Sequence, residues 1–351
     1  MSHELTWPRI LSTLVDGSDL SIGESTWAMQ QVMAGEATSA QLAGLLVALR
    51  IKGETVDEIV GFRDAVLANA RKLDVDSMVL DIVGSGGDPY GAVFNISSVA
   101  SIIAAASGVP VVKHGNRGAS SASGASDVLT SLGLNISIEP ERVAEVLNET
   151  GITFAFAGLF HPGFRHAGPT RSELGISTLF NILGPLCNPA RPEASAVGVA
   201  SLERVPLVVG VFQTRGATAL VYRGDDGIDK LTTTGHSHIW EISRGSVTEH
   251  DLDPRDLGIP TAPIEALLGK DPAYNAGVIR EVLAGEKGPV RDIVLLNAAA
   301  GLVSFELAQK PEQLRVPILD RLGAKLEVAA AAVDSGAALA KLDQWVAATN
   351  R

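Results

Sequence analysis

Short apolar runs alternate with amphipathic segments through most of this chain, and that alternation leaves few folds open to it. Val79-Leu80-Asp81-Ile82-Val83 ends in Gly84 and reads as a strand. Residues 97–106 then read as a helix, 109–112 as a strand, 125–132 as a helix, 153–157 as a strand, 205–212 as a helix and 217–222 as a strand. Strands and helices in this rhythm build a mainly parallel sheet covered by helices, and ligands of such sheets bind beyond the carboxyl ends of the strands. Residues 1–71 are different. Thr38-Ser39-Ala40-Gln41 and Thr55-Val56-Asp57-Glu58 have capping-box spacing. Leu42, Leu45, Leu46 and Leu49 follow the first at helical intervals, and Ile59, Val60, Phe62, Val66 and Leu67 follow the second. Such faces are too apolar for isolated surface helices, so they pack on a domain or on another subunit. The expected fold class is α/β: a small all-helical domain plus a larger α/β domain with a mainly parallel central sheet. The helical domain takes residues 1–71 plus about 160–186, and the α/β domain takes 72–159 plus 187–351. Residues 246–272, rich in Pro, Asp and Gly, read as surface loops.

The 351 residues carry a formal net charge of −12. Affinity for nucleic acid rests on clustered Lys and Arg, so that balance argues against a nucleic-acid partner. An anionic ligand then needs a local positive site, because the global field repels it. No apolar run is long enough to span a bilayer, and Met1-Ser2-His3-Glu4-Leu5 lacks the basic start of a signal peptide. The single cysteine, Cys187, excludes an intramolecular disulfide framework. A cytoplasmic setting without membrane contact is expected.

The local positive site is Lys113-His114-Gly115-Asn116-Arg117-Gly118-Ala119-Ser120-Ser121, which reads as a loop after the strand at 109–112. Donors without carboxylates at a strand end suit a polyanion; glycine lets backbone N–H groups approach it and Lys113 adds a point charge. Gly84-Ser85-Gly86-Gly87-Asp88 is a second close-approach loop, although it has neither the dinucleotide spacing nor a Walker lysine. Asn95-Ile96-Ser97-Ser98 opens a helix, whose free N–H groups and positive dipole end attract anions. Together these point to a ligand with more than one phosphate. Arg171 is a candidate carboxylate clamp, and His161 or His166 can hydrogen-bond a substrate. Asp225-Asp226-Gly227-Ile228-Asp229-Lys230 holds the densest carboxylates of its half, a feature that reads either as a metal-binding segment or as a solvated acidic turn.

Four motifs in order give the chain a strong resemblance to the anthranilate phosphoribosyltransferase family, of nucleoside phosphorylase/phosphoribosyltransferase (type III) fold. They are Gly84-Ser85-Gly86-Gly87-Asp88, Val112-Lys113-His114-Gly115-Asn116-Arg117, Ser123-Gly124-Ala125-Ser126-Asp127-Val128-Leu129 and Phe180-Asn181-Ile182-Leu183-Gly184-Pro185-Leu186-Cys187-Asn188-Pro189-Ala190. The resemblance implies transfer of the 5-phosphoribosyl group from phosphoribosyl pyrophosphate to the amine of anthranilate, in tryptophan biosynthesis, by a homodimer joined through the helical domain. It implies that Gly84, Gly87, Asp88, Asn95, Ile96, Ser97, Ser98, Lys113, His114, Gly115, Asn116, Arg117, Gly118, Ala119, Ser120, Ser121 and Ala125 hold phosphoribosyl pyrophosphate. It places anthranilate against Gly84, Asn116, His161 and Arg171, and two Mg²⁺ ions near Ser97 and Asp229. No catalytic base is implied, since an aryl amine is already neutral near pH 7.

The chain departs from that pattern at Lys230, where the resemblance implies a metal-binding Glu. An ammonium cannot coordinate a metal. Three outcomes stand open: Lys230 swings away, Lys230 neutralises pyrophosphate itself, or Asp225 or Asp226 replaces the ligand. Ala92-Val93, Ala122 and Ser172 also replace residues that contribute donors or positive charge. The alternative function is a relative of the same fold with another acceptor, such as a pyrimidine nucleoside phosphorylase, or one with lost activity.

Overall fold

The computed structural model describes residues 4–91, 93–117 and 123–351. Four helices open the chain: α1 (Trp7–Val15), α2 (Ile22–Ala34), α3 (Ser39–Lys52) and α4 (Val56–Ala68). The last three begin with complete capping boxes, Ser21 with Glu24, Thr38 with Gln41 and Thr55 with Glu58, which satisfy the N–H groups that a helix start leaves unpaired. Helices α2 and α4 approach so closely that a Cβ at Gly61 would overlap Ser25 Oγ.

Among the described residues, seven strands form one sheet in the order β3-β2-β1-β4-β5-β6-β7. They are β1 (Leu80–Gly84), β2 (Val111–Gly115), β3 (Ile152–Phe156), β4 (Ala194–Gly198), β5 (Thr218–Gly224), β6 (Ser237–Ser243) and β7 (Ser246–Leu252). Strands β1 to β5 are mutually parallel, and β6 and β7 add an antiparallel end. Successive side chains of a strand face opposite sides of the sheet. Leu80, Ile82, Ala196, Leu220 and Tyr222 accordingly join one core with α5 (Ile96–Ala106) and the long helix Pro289–Gln309. Val83, Val197, Ala219 and Val221 join another with α1 to α4 and the helix Val205–Arg215. The helical unit and the sheet thus share a core. Burial on both faces is why the parallel strands read as apolar runs.

Two expectations are corrected. Residues 246–252 form the edge strand β7 and not a loop. Its polar side chains are mostly exposed, and a two-residue turn, Arg244 and Gly245 with φ of 51° and 80°, returns it against β6. Lys113, His114 and Gly115 also belong to a strand, the end of β2, paired with Phe154, Ala155 and Phe156 of β3. On its other side β2 shares only the pair Leu80↔Val111 with β1. Beyond it, side chains replace the ladder. Asp81 Oδ1 accepts from the His114 N–H (3.1 Å), Asn188 Nδ2 donates to Val112 O (2.8 Å), and Lys113 Nζ donates to Ile82 O (2.8 Å).

Candidate active site

A cavity of about 660 Å³ lies beyond the carboxyl ends of β1 and β2, within the usual size range of small-molecule sites. One wall is Gly84–Asp88 with the first turn of α5. The second is the end of β2 and Ala125. The third is the irregular helical segment that carries His161, Phe164, Arg171 and Phe180. The strands' missing mutual ladder keeps the floor open, and Lys113 stands in it.

The loop after β1 passes through Gly86 and Gly87 at φ of 67° and 78°, conformations that L side chains seldom adopt. Asp229, from the segment after β5, holds this loop: its Oδ2 accepts from the Gly86 N–H at 2.8 Å. Asp88 Oδ1 accepts from the N–H groups of Tyr90 and Gly91, which turns the chain toward α5. Asn95 does not cap α5 with its side chain. It bridges instead to Ser123 O and to Asn275, leaving the helix start facing the cavity.

Lys113 is almost fully buried, and its Nζ also donates to Ser97 Oγ at 3.2 Å. Burial pushes its ammonium down to about 8 against the favourable field of Asp81. The same burial pushes Asp81 up to about 6, opposed by Lys113 and by the Asn188 amide, which donates to Oδ2 at 2.9 Å. His114 and His161 meet edge to face, with ring centroids 5.2 Å apart. Burial lowers them to about 3 and about 4, so both are neutral near pH 7. Arg171 lies 4.9 Å over the Phe180 ring and makes no ion pair among the described residues. Burial weakens its hold on the proton, though a guanidinium keeps its charge.

Among the described lining residues, five side chains are cationic, Lys113, Arg117, Arg165, Arg171 and Lys230, and two are carboxylates, Asp88 and Asp229. This is a concentrated positive site in a chain of net charge −12. Its end at β1 and α5 suits phosphates. Its end at Arg171, with Phe164 and Phe180, suits a planar ring bearing a carboxylate.

Comparison with known proteins agrees with this geometry. Residues 8–70 match the helical bundle domain of the glycosyl transferase family, and residues 76–339 match its a/b domain. The anthranilate phosphoribosyltransferase of Clavibacter michiganensis subsp. michiganensis is 75% identical over 344 residues, 98% of each chain. The chain belongs to the anthranilate phosphoribosyltransferase family. The solved structure of the Thermus thermophilus anthranilate phosphoribosyltransferase superimposes with a TM-score of 0.89 at 39% identity, over 97% of this chain and 99% of that one. That of Saccharomyces cerevisiae, in complex with PRPP and Mg, gives 0.88 at 25% identity over 99% and 98%.

Of the residues that the anthranilate phosphoribosyltransferase resemblance singles out, Gly84, Gly87, Asp88, Asn95, Ile96, Ser97, Ser98, Lys113, His114, Gly115, Asn116, Arg117, Ala125, His161, Arg171, Asp229 and Lys230 line the cavity. Gly118, Ala119, Ser120 and Ser121 lie outside the described residues, as does Ala122. Asp225 and Asp226 are not in the lining. Asp226 is spent on its own turn, accepting from the hydroxyls of Thr232 and Thr234, both at 2.7 Å. His166 also stands apart and packs on Gly35. Sequence reasoning missed Asp81, Asn188, Phe180 and Asn275. For Asp81 the signal was a lone carboxylate inside the apolar run Val79–Val83, which points to a buried polar network; Phe180 and Asn188 lie within the motif Phe180–Ala190, without a role assigned to either.

Proposed function

We propose that this protein transfers the 5-phosphoribosyl group of phosphoribosyl pyrophosphate to the amine of anthranilate, giving N-(5-phosphoribosyl)anthranilate and pyrophosphate. The observation that carries this reading is the pairing, in one cavity, of a cationic, glycine-lined end at β1 and α5 with an Arg171–Phe180 end. Identity of 75% to a curated anthranilate phosphoribosyltransferase over nearly the whole chain supports it.

In this reading Gly84–Asp88, Asn95–Ser98 and Lys113–Arg117 bind phosphoribosyl pyrophosphate. Arg171 clamps the anthranilate carboxylate while Gly84, Asn116 and His161 border the ring. The bond from ribose C1 to the pyrophosphate oxygen breaks as the amine nitrogen bonds to C1. Positive charge grows on the ribose and negative charge on the departing pyrophosphate. Fixed donors and the Lys113 ammonium stabilise the latter. The proton lost from the new secondary amine passes to solvent, so no side chain acts as a strong base. Bringing two substrates together in register supplies much of the acceleration.

Mg²⁺ supplies charge neutralisation to the phosphates when bound. Mg²⁺ is usually held by one or two carboxylates together with substrate phosphates. In this reading Ser97 Oγ and Asp88, together with the substrate's phosphates, would hold one ion, because both oxygens of Asp229 already accept from the Gly86 N–H and Lys230 Nζ; a relative solved with PRPP and Mg supports Mg²⁺ as the metal. The helical domain is assigned residues 1–71 and about 160–186, and the α/β domain the rest, in a cytoplasmic homodimer. Val15 of α1 and Ile51 of α3, 77% and 81% exposed, are apolar side chains that such a dimer would cover. Loss of anthranilate fluorescence with phosphoribosyl pyrophosphate and Mg²⁺, coupled to pyrophosphate release, tests the activity. Absence of both refutes it.

A further inference from the structure

Lys230 is buried in the wall of the cavity. Its Nζ donates to the Asp229 backbone carbonyl (2.9 Å) and to Asp229 Oδ1 (2.5 Å). It lies 2.7 Å from where a Cβ on Gly84 would stand. Asp229 Oδ2 is occupied by the Gly86 N–H, so both oxygens of that carboxylate are engaged. Asp226 is turned into its own Thr232–Thr234 network. Among the described residues no cluster of three His, Cys, Asp or Glu side chains could hold a metal ion. These contacts bear on the three alternatives left open by the sequence. Lys230 lines the cavity and has not swung away, and neither Asp225 nor Asp226 is in the lining.

The cavity instead carries two buried ammonium groups of similar construction. Lys113 Nζ is held by Ile82 O and Ser97 Oγ, and Lys230 Nζ by Asp229. Each lies beside the glycine loop that the phosphates would approach. A fixed ammonium provides a point charge and three donors without the cost of gathering ligands. We infer that Lys230 is a built-in cation that takes over, for the pyrophosphate group, the neutralising role of one divalent metal ion, so that the ligand-bound protein holds a single Mg²⁺ per subunit. The inference rests on the proposed function, because pyrophosphate is the group it serves.

Two binding measurements on the full chain test it. Manganese titration followed by electron paramagnetic resonance, with saturating pyrophosphate, is expected to give one tight Mn²⁺ per subunit, and two in Lys230→Glu. Calorimetric titration of pyrophosphate in EDTA is expected to show binding by the wild type, retained in Lys230→Arg and weakened about tenfold or more in Lys230→Gln. A thermal melt of each variant reports its folding, and the wild-type manganese count stands without any variant. Two tight ions in the wild type overturn the inference. So does metal-free binding that is equal in the wild type and a folded Lys230→Gln. A wild type that binds pyrophosphate only with Mg²⁺ defeats the inference and leaves the proposed function intact. One that binds it under neither condition defeats both.

Discussion

Gly84 and Gly198 lie side by side in register at the carboxyl ends of β1 and β4, and Asp229 fills the space that their absent side chains leave. The two encroach on it differently. A Cβ on Gly198 would overlap the Asp229 main chain, whereas one on Gly84 would overlap its carboxylate and crowd Lys230 Nζ. Gly198→Ala is therefore expected to lower stability by about 1–3 kcal/mol, the usual cost of overpacking. Gly84→Ala can be relieved by moving a carboxylate, so its main effect falls on ligand binding, weakened by about tenfold. Urea unfolding and calorimetric titration with phosphoribosyl pyrophosphate separate the two. Undiminished affinity in Gly84→Ala contradicts the placement of Asp229.

Arg171 offers a guanidinium that sits 4.9 Å over the Phe180 ring and is free of any ion pair among the described residues. Replacing it with Met keeps much of the apolar stem and removes the fork. The KM for anthranilate is expected to rise about 10- to 100-fold, as for a lost charge-assisted hydrogen bond, with the KM for phosphoribosyl pyrophosphate little changed. Steady-state kinetics with each substrate varied in turn checks this. An equal rise in both constants would place Arg171 outside the acceptor end.

The histidine pair makes stability depend on pH. Burial holds His114 at about 3 and His161 at about 4, below the ordinary value of 6.5. As pH falls from 6.5, the unfolded chain takes up protons that the folded one refuses. Each histidine thus contributes stability that is present above 6.5 and lost on acidification, by about 1.4 kcal/mol per pH unit. Asp81, raised to about 6, acts oppositely: it is protonated in the fold before it is in the unfolded chain, which offsets one histidine between about pH 6 and 4. Urea unfolding at pH 7 and pH 5 should therefore show a loss on acidification, and His161→Asn should flatten it. An identical slope in the variant would refute the account.

Asn188 joins two strands that lack a ladder at that point, donating to Asp81 Oδ2 and to Val112 O. Asn188→Ala leaves a buried carboxylate and a buried carbonyl each short of a donor. The expected cost is about 2–4 kcal/mol. Chemical denaturation measures it, and a loss under about 0.5 kcal/mol would show that water replaces the amide.

Much of this could be read from the chain because burial on both faces imposes a pattern. The parallel strands had to be apolar throughout, and α3 and α4 carried their capping boxes in sequence. Where polar residues enter a strand the pattern fails. Lys113 and His114 look like loop residues, yet they finish β2 because Asp81 and Asn188 stand in for its missing neighbour. Asn188 lies 107 positions from Asp81, and no local rule connects them. Strand β7 was hidden for a different reason: with one neighbour and a wet face, it had no need of apolar residues. The fate of Lys230 was equally illegible, since it turns on Asp229 being held by Gly86 from a distant loop.

The β6–β7 hairpin has a consequence for how copies of this protein meet. β7 ends the sheet with one side unpaired, and a row of vacant amides there can recruit another strand. Here the row bristles with Glu249 and Asp251, both gripping His238 of β6. A second copy approaching along this border would set like charges against each other and would have to dismantle those ties. Strand addition and fibril-like growth are thereby discouraged at this polar rim.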